Sequence, residues 1–211
     1  MRAIQWVFIT ALLTSCATQS PKTLSSAHYT DEVFVQVPFV SHDENAPFKS
    51  YLAMNFSYPG FQALLKETEA REKVTLKNRG EAHITVITPP EFDKVLSKKI
   101  SIQEINAIAA KMNLQGSHFH PLCVGKGKAK IKDQEQSTYF VVMDSENLFK
   151  IRKAIQELYI SHGGKASDFN PDLFYPHVTL GYTDRDLHYE DGVVKDAASC
   201  IFTLEPGPHK K

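Results

Sequence analysis

Two stretches of the chain read almost alike: Ala82-His83-Ile84-Thr85-Val86 and Pro176-His177-Val178-Thr179-Leu180. In a strand, successive side chains point to opposite faces, so each stretch sets His and Thr on one face and aliphatic residues on the other. The aliphatic face needs a core, and the polar face needs water or a cleft. Each stretch also follows a segment with helical periodicity, which constrains the chain to two similar lobes, one per motif. Mixed strand and helix runs without regular βαβ alternation predict an α+β fold with antiparallel sheets.

The other elements follow from periodicity and punctuation. Residues 32–37 alternate and predict a first strand. Residues 38–57 read as loop, with room for a short strand after Pro47. Phe61, Leu64, Leu65 and Thr68 keep helical spacing to about Lys73, and residues 74–76 suggest a short strand. The first His-Thr strand, residues 82–88, stops at Pro89-Pro90, which cannot continue a central ladder. Residues 91–99 predict a helix. Ser101 and Glu104 form a capping-box pattern for the next one, with a stripe of Ile102, Ile105, Ile108, Ala109 and Met112. Residues 119–131 read as a strand, a bend at Gly125-Lys126-Gly127-Lys128, and a second strand. A compact strand is expected over residues 138–143 and the longest helix over 145–162, ended by Gly163-Gly164. The second His-Thr strand covers residues 176–183, with weaker strands at 187–189 and 200–204.

Residues 1–15 read as an address. Arg2 supplies a short positive region, and residues 3–13 are mostly apolar but too short for a bilayer, which needs about 20 apolar residues. Leu13-Thr14-Ser15-Cys16 resembles the bacterial lipobox, which implies signal cleavage and a lipid on Cys16. By the same resemblance Ala17 points to outer-membrane sorting, hence a protein anchored in the cell envelope and facing the periplasm. An ordinary secretory signal or a buried N-terminal helix is the competing reading. Residues 16–30 are expected to be a tether, 31–205 the domain, and 206–211 a flexible tail. Cys123 and Cys200 pair in an oxidising compartment or stay as two buried thiols; sequence leaves both open.

Charge limits the partners. Lys plus Arg is 24 and Asp plus Glu is 24 in 211 residues. No net field draws this chain to duplex nucleic acid, so a small or short anionic substrate fits better. The protein is expected to be a monomer whose membrane contact is the lipid anchor.

Two histidines suit phosphodiester chemistry. Opening a cyclic phosphate, or a diester beside a hydroxyl, needs a base for the nucleophile, an acid for the leaving oxygen and donors for the phosphoryl oxygens. Imidazole, with an unperturbed pKa near 6.5, serves either proton role at neutral pH. In-line displacement puts the entering and leaving groups on opposite sides of phosphorus, so two histidines should face each other across it. A single His-x-Thr is weak: His28-Tyr29-Thr30 also fits, but it lies in the expected tether and reads as a chance match.

The paired motifs resemble the two-histidine (2H) phosphoesterase superfamily. The run Gly80-Glu81-Ala82-His83-Ile84-Thr85-Val86-Ile87-Thr88-Pro89-Pro90-Glu91-Phe92 is similar to its "Swiss army knife" branch, as is Pro176 through Thr183 followed by Asp186-Leu187-His188. The resemblance implies a bilobal fold with two antiparallel sheets facing a central cleft and helices outside. It implies cleavage of phosphodiesters without metal or other cofactor, commonly 2′,3′-cyclic phosphates of nucleotides or RNA ends. It assigns proton transfer to His83 and His177 and phosphate binding to Thr85 and Thr179. Which histidine is acid and which base stays open.

Other residues admit two readings. Tyr139 and Tyr182 are candidate substrate-stacking residues, or core and rim aromatics. His118-Phe119-His120, with His188, has a spacing found at zinc sites and supports an alternative zinc hydrolase. A second alternative is an envelope lipoprotein that binds nucleotide or phosphate without turnover. Lys126, Lys128 and Lys130 present cations to a phosphate or protect a solvated edge. Asp186 and His188 are placed to shape the cleft, and Glu81 and Glu91 read as solvated carboxylates.

Overall fold

Eight strands and four α-helices alternate along the described residues, 24–35 and 37–207, of the computed structural model. They are β1 (Ser26–Tyr29), β2 (His42–Asp43), β3 (Ser50–Phe56), α1 (Tyr58–Glu72), β4 (Ala82–Ile87), α2 (Pro89–Lys94), α3 (Ile102–Lys111), β5 (His120–Ile131), β6 (Gln134–Asp144), α4 (Glu146–Ser161), β7 (His177–Tyr182) and β8 (Cys200–Pro206). The strands form two sheets, β2-β3-β4 and β1-β8-β5-β6-β7, antiparallel except for the β1–β8 pair. This is the expected α+β class, with unequal sheets of three and five strands.

Both His-Thr strands lie at sheet edges, β4 ending one sheet and β7 the other. The two edges run beside each other, with Cα atoms within 8 Å. Just before β4 the chain is stitched to β7. Lys77 exchanges both backbone hydrogen bonds with Tyr182, at 2.8 and 3.0 Å, and Asn78 donates its amide to the Leu180 carbonyl. The expected strand at 74–76 is thus reduced to this single bridge.

One core holds the sheets in register. Ile84 and Val86 of β4 share a buried cluster with Val178 and Leu180 of β7, and with Leu64, Ile105, Leu148 and Ile151 from three helices. Helix α3 starts where the capping box places it: Ser101 accepts from the Glu104 amide and Glu104 returns a bond to the Ser101 amide. Glu91 does the same for α2 at Thr88, and its carboxylate also takes two bonds from Arg152 of α4, at 2.8 and 3.2 Å. The reading of Glu91 as a solvated carboxylate is therefore corrected. Arg152 also donates to the carbonyls of Val86, at the end of β4, and of Asn170 and Pro171 in the loop before β7. One buried guanidinium thus ties together the segments that carry both motifs.

Several local expectations change. Residues 26–29, placed in the tether, form β1, because Ala27 is buried and the strand pairs with β8. Within residues 32–37, expected as strand, the chain instead makes a 3₁₀ turn, Asp31–Phe34, in which only Val33 is buried. Residues 187–189 are not strand; a 3₁₀ turn occupies Tyr189–Asp191. Strand β5 runs unbroken through Gly125 and Gly127, with a register irregularity against β8 at Val124/Gly125 in place of the expected break. A Cβ on Gly125 would lie 2.5 Å from the Phe140 ring, and one on Gly127 would lie 2.2 Å from Val193. The glycines mark close approach of another chain segment. The turn to β6 comes instead at Lys132-Asp133, both at positive φ, in a two-residue hairpin loop. Pro206, expected in the tail, ends β8; the address, Cys16 and residues 208–211 lie outside the described residues. Cys123 and Cys200 are joined by a disulfide between neighbouring strands. Among the described residues no helix is long and apolar enough to cross a membrane.

Candidate active site

Strand alternation gives the site its floor. In β4 the residues Ala82, Ile84 and Val86 are buried while His83 and Thr85 are half-exposed; in β7 Val178 and Leu180 are buried while His177 and Thr179 are half-exposed. Because both aliphatic sets enter one core and the strands adjoin, both His-Thr faces turn to the same side of the seam. Neighbouring strands extend this face. Asn55 stands opposite His83 and Ala53 opposite Thr85, and the Tyr51 ring lies 6.2 Å from that of His83. His42 stacks on Tyr51 at 4.0 Å. On the other sheet the Phe140 ring meets His177 edge-on at 5.8 Å.

A buried ion pair organises the His177 side. Lys195, only 4% exposed, places its Nζ 2.9 Å from Asp186 Oδ1 and 3.2 Å from His177 Nε2. Asp186 also accepts from Thr138 at 2.6 Å and from Thr179 at 3.0 Å. His177 Nδ1 lies 2.7 Å from the Tyr175 carbonyl, so Nδ1 carries the proton and Nε2 is left as an acceptor. Burial and the adjacent Lys195 ammonium push the His177 pKa down to about 3. Burial alone would raise Asp186, but Lys195, Thr138 and His188 hold it down at about 2.

His83 is shifted in the same direction. Burial lowers its pKa; Glu81 and Asp186 oppose this, while His42 and Arg79 add to it. The Asp186 carboxylate therefore acts on both histidines, which links the two sides of the seam. Arg79, in the turn before β4, lies 3.8 Å from Glu81 and interacts with Tyr182 and Asp186, adding a cation at the mouth.

A family model described as Swiss Army Knife, 2H phosphoesterase domain, matches residues 50–188, well over half of the 211-residue chain. The chain belongs to this 2H phosphoesterase family. Membership implies phosphoesterase activity, and the match takes in both His-Thr strands, Asp186 and His188. A search of the curated proteins found no match.

In this 2H domain the expected residues do not all gather. His83, Thr85, His177, Thr179 and Tyr182 lie on or beside the seam. Tyr139 does not: it is 2% exposed, faces the helix side, and donates its hydroxyl to Glu72 at 3.1 Å. Strand register decides this: Phe140 stands opposite Thr179 and takes the His177 face of β6, and alternation then sends Tyr139 to the other. Thr179 reaches the site, but its one hydroxyl proton is committed to Asp186. Lys126, Lys128 and Lys130 pair with Glu72, Glu135 and Asp133. His118 and His120 are exposed, and His120 sits opposite Asp144, beyond the end of β7. Among the described residues no group of three or more His, Cys, Asp or Glu could hold a metal ion, so the zinc alternative lacks a donor set. His28 lies on β1, at the far edge of the larger sheet.

Sequence reading missed Lys195 and Thr138. Lys195 carries no motif, yet a signal exists: the Gly125-x-Gly127 pair within a strand marks a close crossing. The segment that crosses there, bringing Val193 onto Gly127 and Ser199 onto Gly125, is the one that bears Lys195.

Proposed function

We propose that the protein hydrolyses a cyclic or linear phosphodiester, a 2′,3′-cyclic nucleotide or RNA end, by proton transfer between His83 and His177. The supporting observation is that the two His-Thr edges adjoin with both imidazoles on one half-exposed face. His177, with its proton held on Nδ1 by Tyr175, offers Nε2 to a water molecule. The water oxygen bonds to phosphorus as its proton passes to Nε2, and the ester oxygen leaves with a proton from His83. His83 must be protonated at that moment; the phosphodiester anion favours this, because a nearby negative charge raises an imidazole's pKa. Thr85 donates to a phosphoryl oxygen, and Tyr182 and Arg79 flank the leaving group.

The chemistry asks for no metal, and chelation tests that. Hydrolysis of 2′,3′-cyclic nucleotides should persist in excess chelator and fall about 10²–10⁴-fold in His83→Ala and in His177→Ala. Activity lost to the chelator, or retained in both variants, overturns the reading. One observation favours the rival of binding without turnover: Lys195 already occupies His177 Nε2 at rest. Saturable nucleotide binding with no hydrolysis in the intact protein would select that rival.

The location belongs to the same proposal: an envelope protein held by a lipid on Cys16. The Cys123–Cys200 disulfide supports an oxidising compartment. Metabolic labelling with a fatty acid should mark the unaltered protein and not Cys16→Ala.

A further inference from the structure

The buried Lys195 is unexplained by the two His-Thr motifs and lies outside the residues the family model matches. A lysine is almost never sealed in a fold unless it is paired, because stripping water from an ammonium is costly. Here Asp186 compensates it, and the segment bearing it is seated over two glycines that make room. The ammonium has three protons. One meets Asp186 Oδ1 and one meets His177 Nε2, while the charge also sits 5.4 Å over the Phe140 ring.

Thr179 is the residue that the motif would use to donate to phosphate. A hydroxyl has one proton, and Asp186, held ionised, only accepts. While Asp186 stays charged, Thr179 is a spent donor. An oxygen placed within hydrogen-bond reach of His177 Nε2 would, however, find Lys195 Nζ beside it, because the two nitrogens are 3.2 Å apart.

We propose that Lys195 is the phosphoryl-binding cation of this site, taking the donor role on the β7 side, and that it swings its hydrogen bond from His177 Nε2 to a phosphoryl oxygen when substrate enters. The assignment rests on the phosphodiester reading of the same face, and it goes further by naming the anchor. Asp186 fixes the ammonium before substrate arrives, so the donor is already aimed at the place the anion takes. The same swing frees the Nε2 lone pair, so binding and activation of the base become one event.

The test uses inorganic phosphate as probe, on the full chain, with no need for turnover. In the unmodified protein, phosphate should saturably shift the ¹⁵N resonances of both Lys195 Nζ and His177 Nε2. Lys195→Met combined with Asp186→Asn removes both buried charges together and so protects the fold; it should weaken phosphate binding at least tenfold. Lys195→Arg should restore binding to within a few fold. Phosphate that shifts His83 but leaves Lys195 Nζ unmoved overturns the proposal, as does unchanged affinity in the double variant or no phosphate binding at all. If phosphate binding depends on Lys195 but no cyclic nucleotide is hydrolysed, the anchor stands and the hydrolytic reading falls.

Discussion

Replacing Arg152 with Met should destabilise the domain by about 4 kcal/mol. The guanidinium is 1% exposed and bonds Glu91 twice, at 2.8 and 3.2 Å. It also donates to the carbonyls of Val86 at 2.6 Å, Pro171 at 2.9 Å and Asn170 at 3.1 Å. The rings of Phe169 and Phe174 flank it, each 4.8 Å away. Breaking a buried pair from one side costs about 3–5 kcal/mol, and the surviving Glu91 carboxylate, 26% exposed, puts this pair at the low end of that range. Each orphaned buried carbonyl adds about 1–3 kcal/mol unless water reaches it. Met fills similar apolar volume, Thr88 still holds one Glu91 oxygen at 2.8 Å, and loop carbonyls can rehydrate. These offsets keep the sum near the middle of the pair range. With a urea m-value of about 2 kcal/mol/M, the unfolding midpoint should fall by about 2 M under non-reducing conditions. Adding Glu91→Gln to Arg152→Met should recover part of the loss, since no buried charge then stands alone. A midpoint within about 0.5 M of the unmodified protein would refute the claim that Arg152 clamps the segments bearing the two motifs.

Acid should weaken the fold through the site histidines. The unfolded His177 takes a proton near pH 6.5 while the folded one resists until about pH 3, so its contribution is full above 6.5 and is lost as pH falls toward 3. Burial likewise lowers His42, His83 and His188, and Asp186, held at about 2, adds loss in the same direction below its ordinary 3.8. Urea midpoints measured from pH 7.5 to 4 should slope downward, and His177→Gln should flatten the slope; parallel slopes would discount His177. Reducing the disulfide, which closes a loop with a sequence separation of 77, should remove about 4.5 kcal/mol on the chain-entropy account, read as the shift in thermal midpoint with a thiol reductant. Thr85→Val should raise KM with the fold retained, whereas Thr179→Val should disturb Lys195 through Asp186 and lower kcat as well; identical effects would remove the asymmetry between the two motifs.

The sequence by itself determined the faces. His-Ile-Thr-Val and His-Val-Thr-Leu each dictate a strand with one aliphatic side, and period-two geometry leaves no other place for the imidazoles than the opposite side. The same local rules gave the capping box at Ser101 and the long helix after Ser145, because these depend on residues within one turn. Tertiary structure alone decided what stands beside those imidazoles. Whether Tyr139 or Phe140 meets His177 depends on strand register, which is fixed by the whole sheet packing on its core. Lys195 reaches His177 across 18 positions only because two glycines of β5 let another segment lie against them. Its charge is tolerable there only because Asp186 arrives from the loop beyond β7. Alternation acts between neighbours in the chain and is legible residue by residue; burial and ion pairing act between distant segments and exist only once the chain has folded.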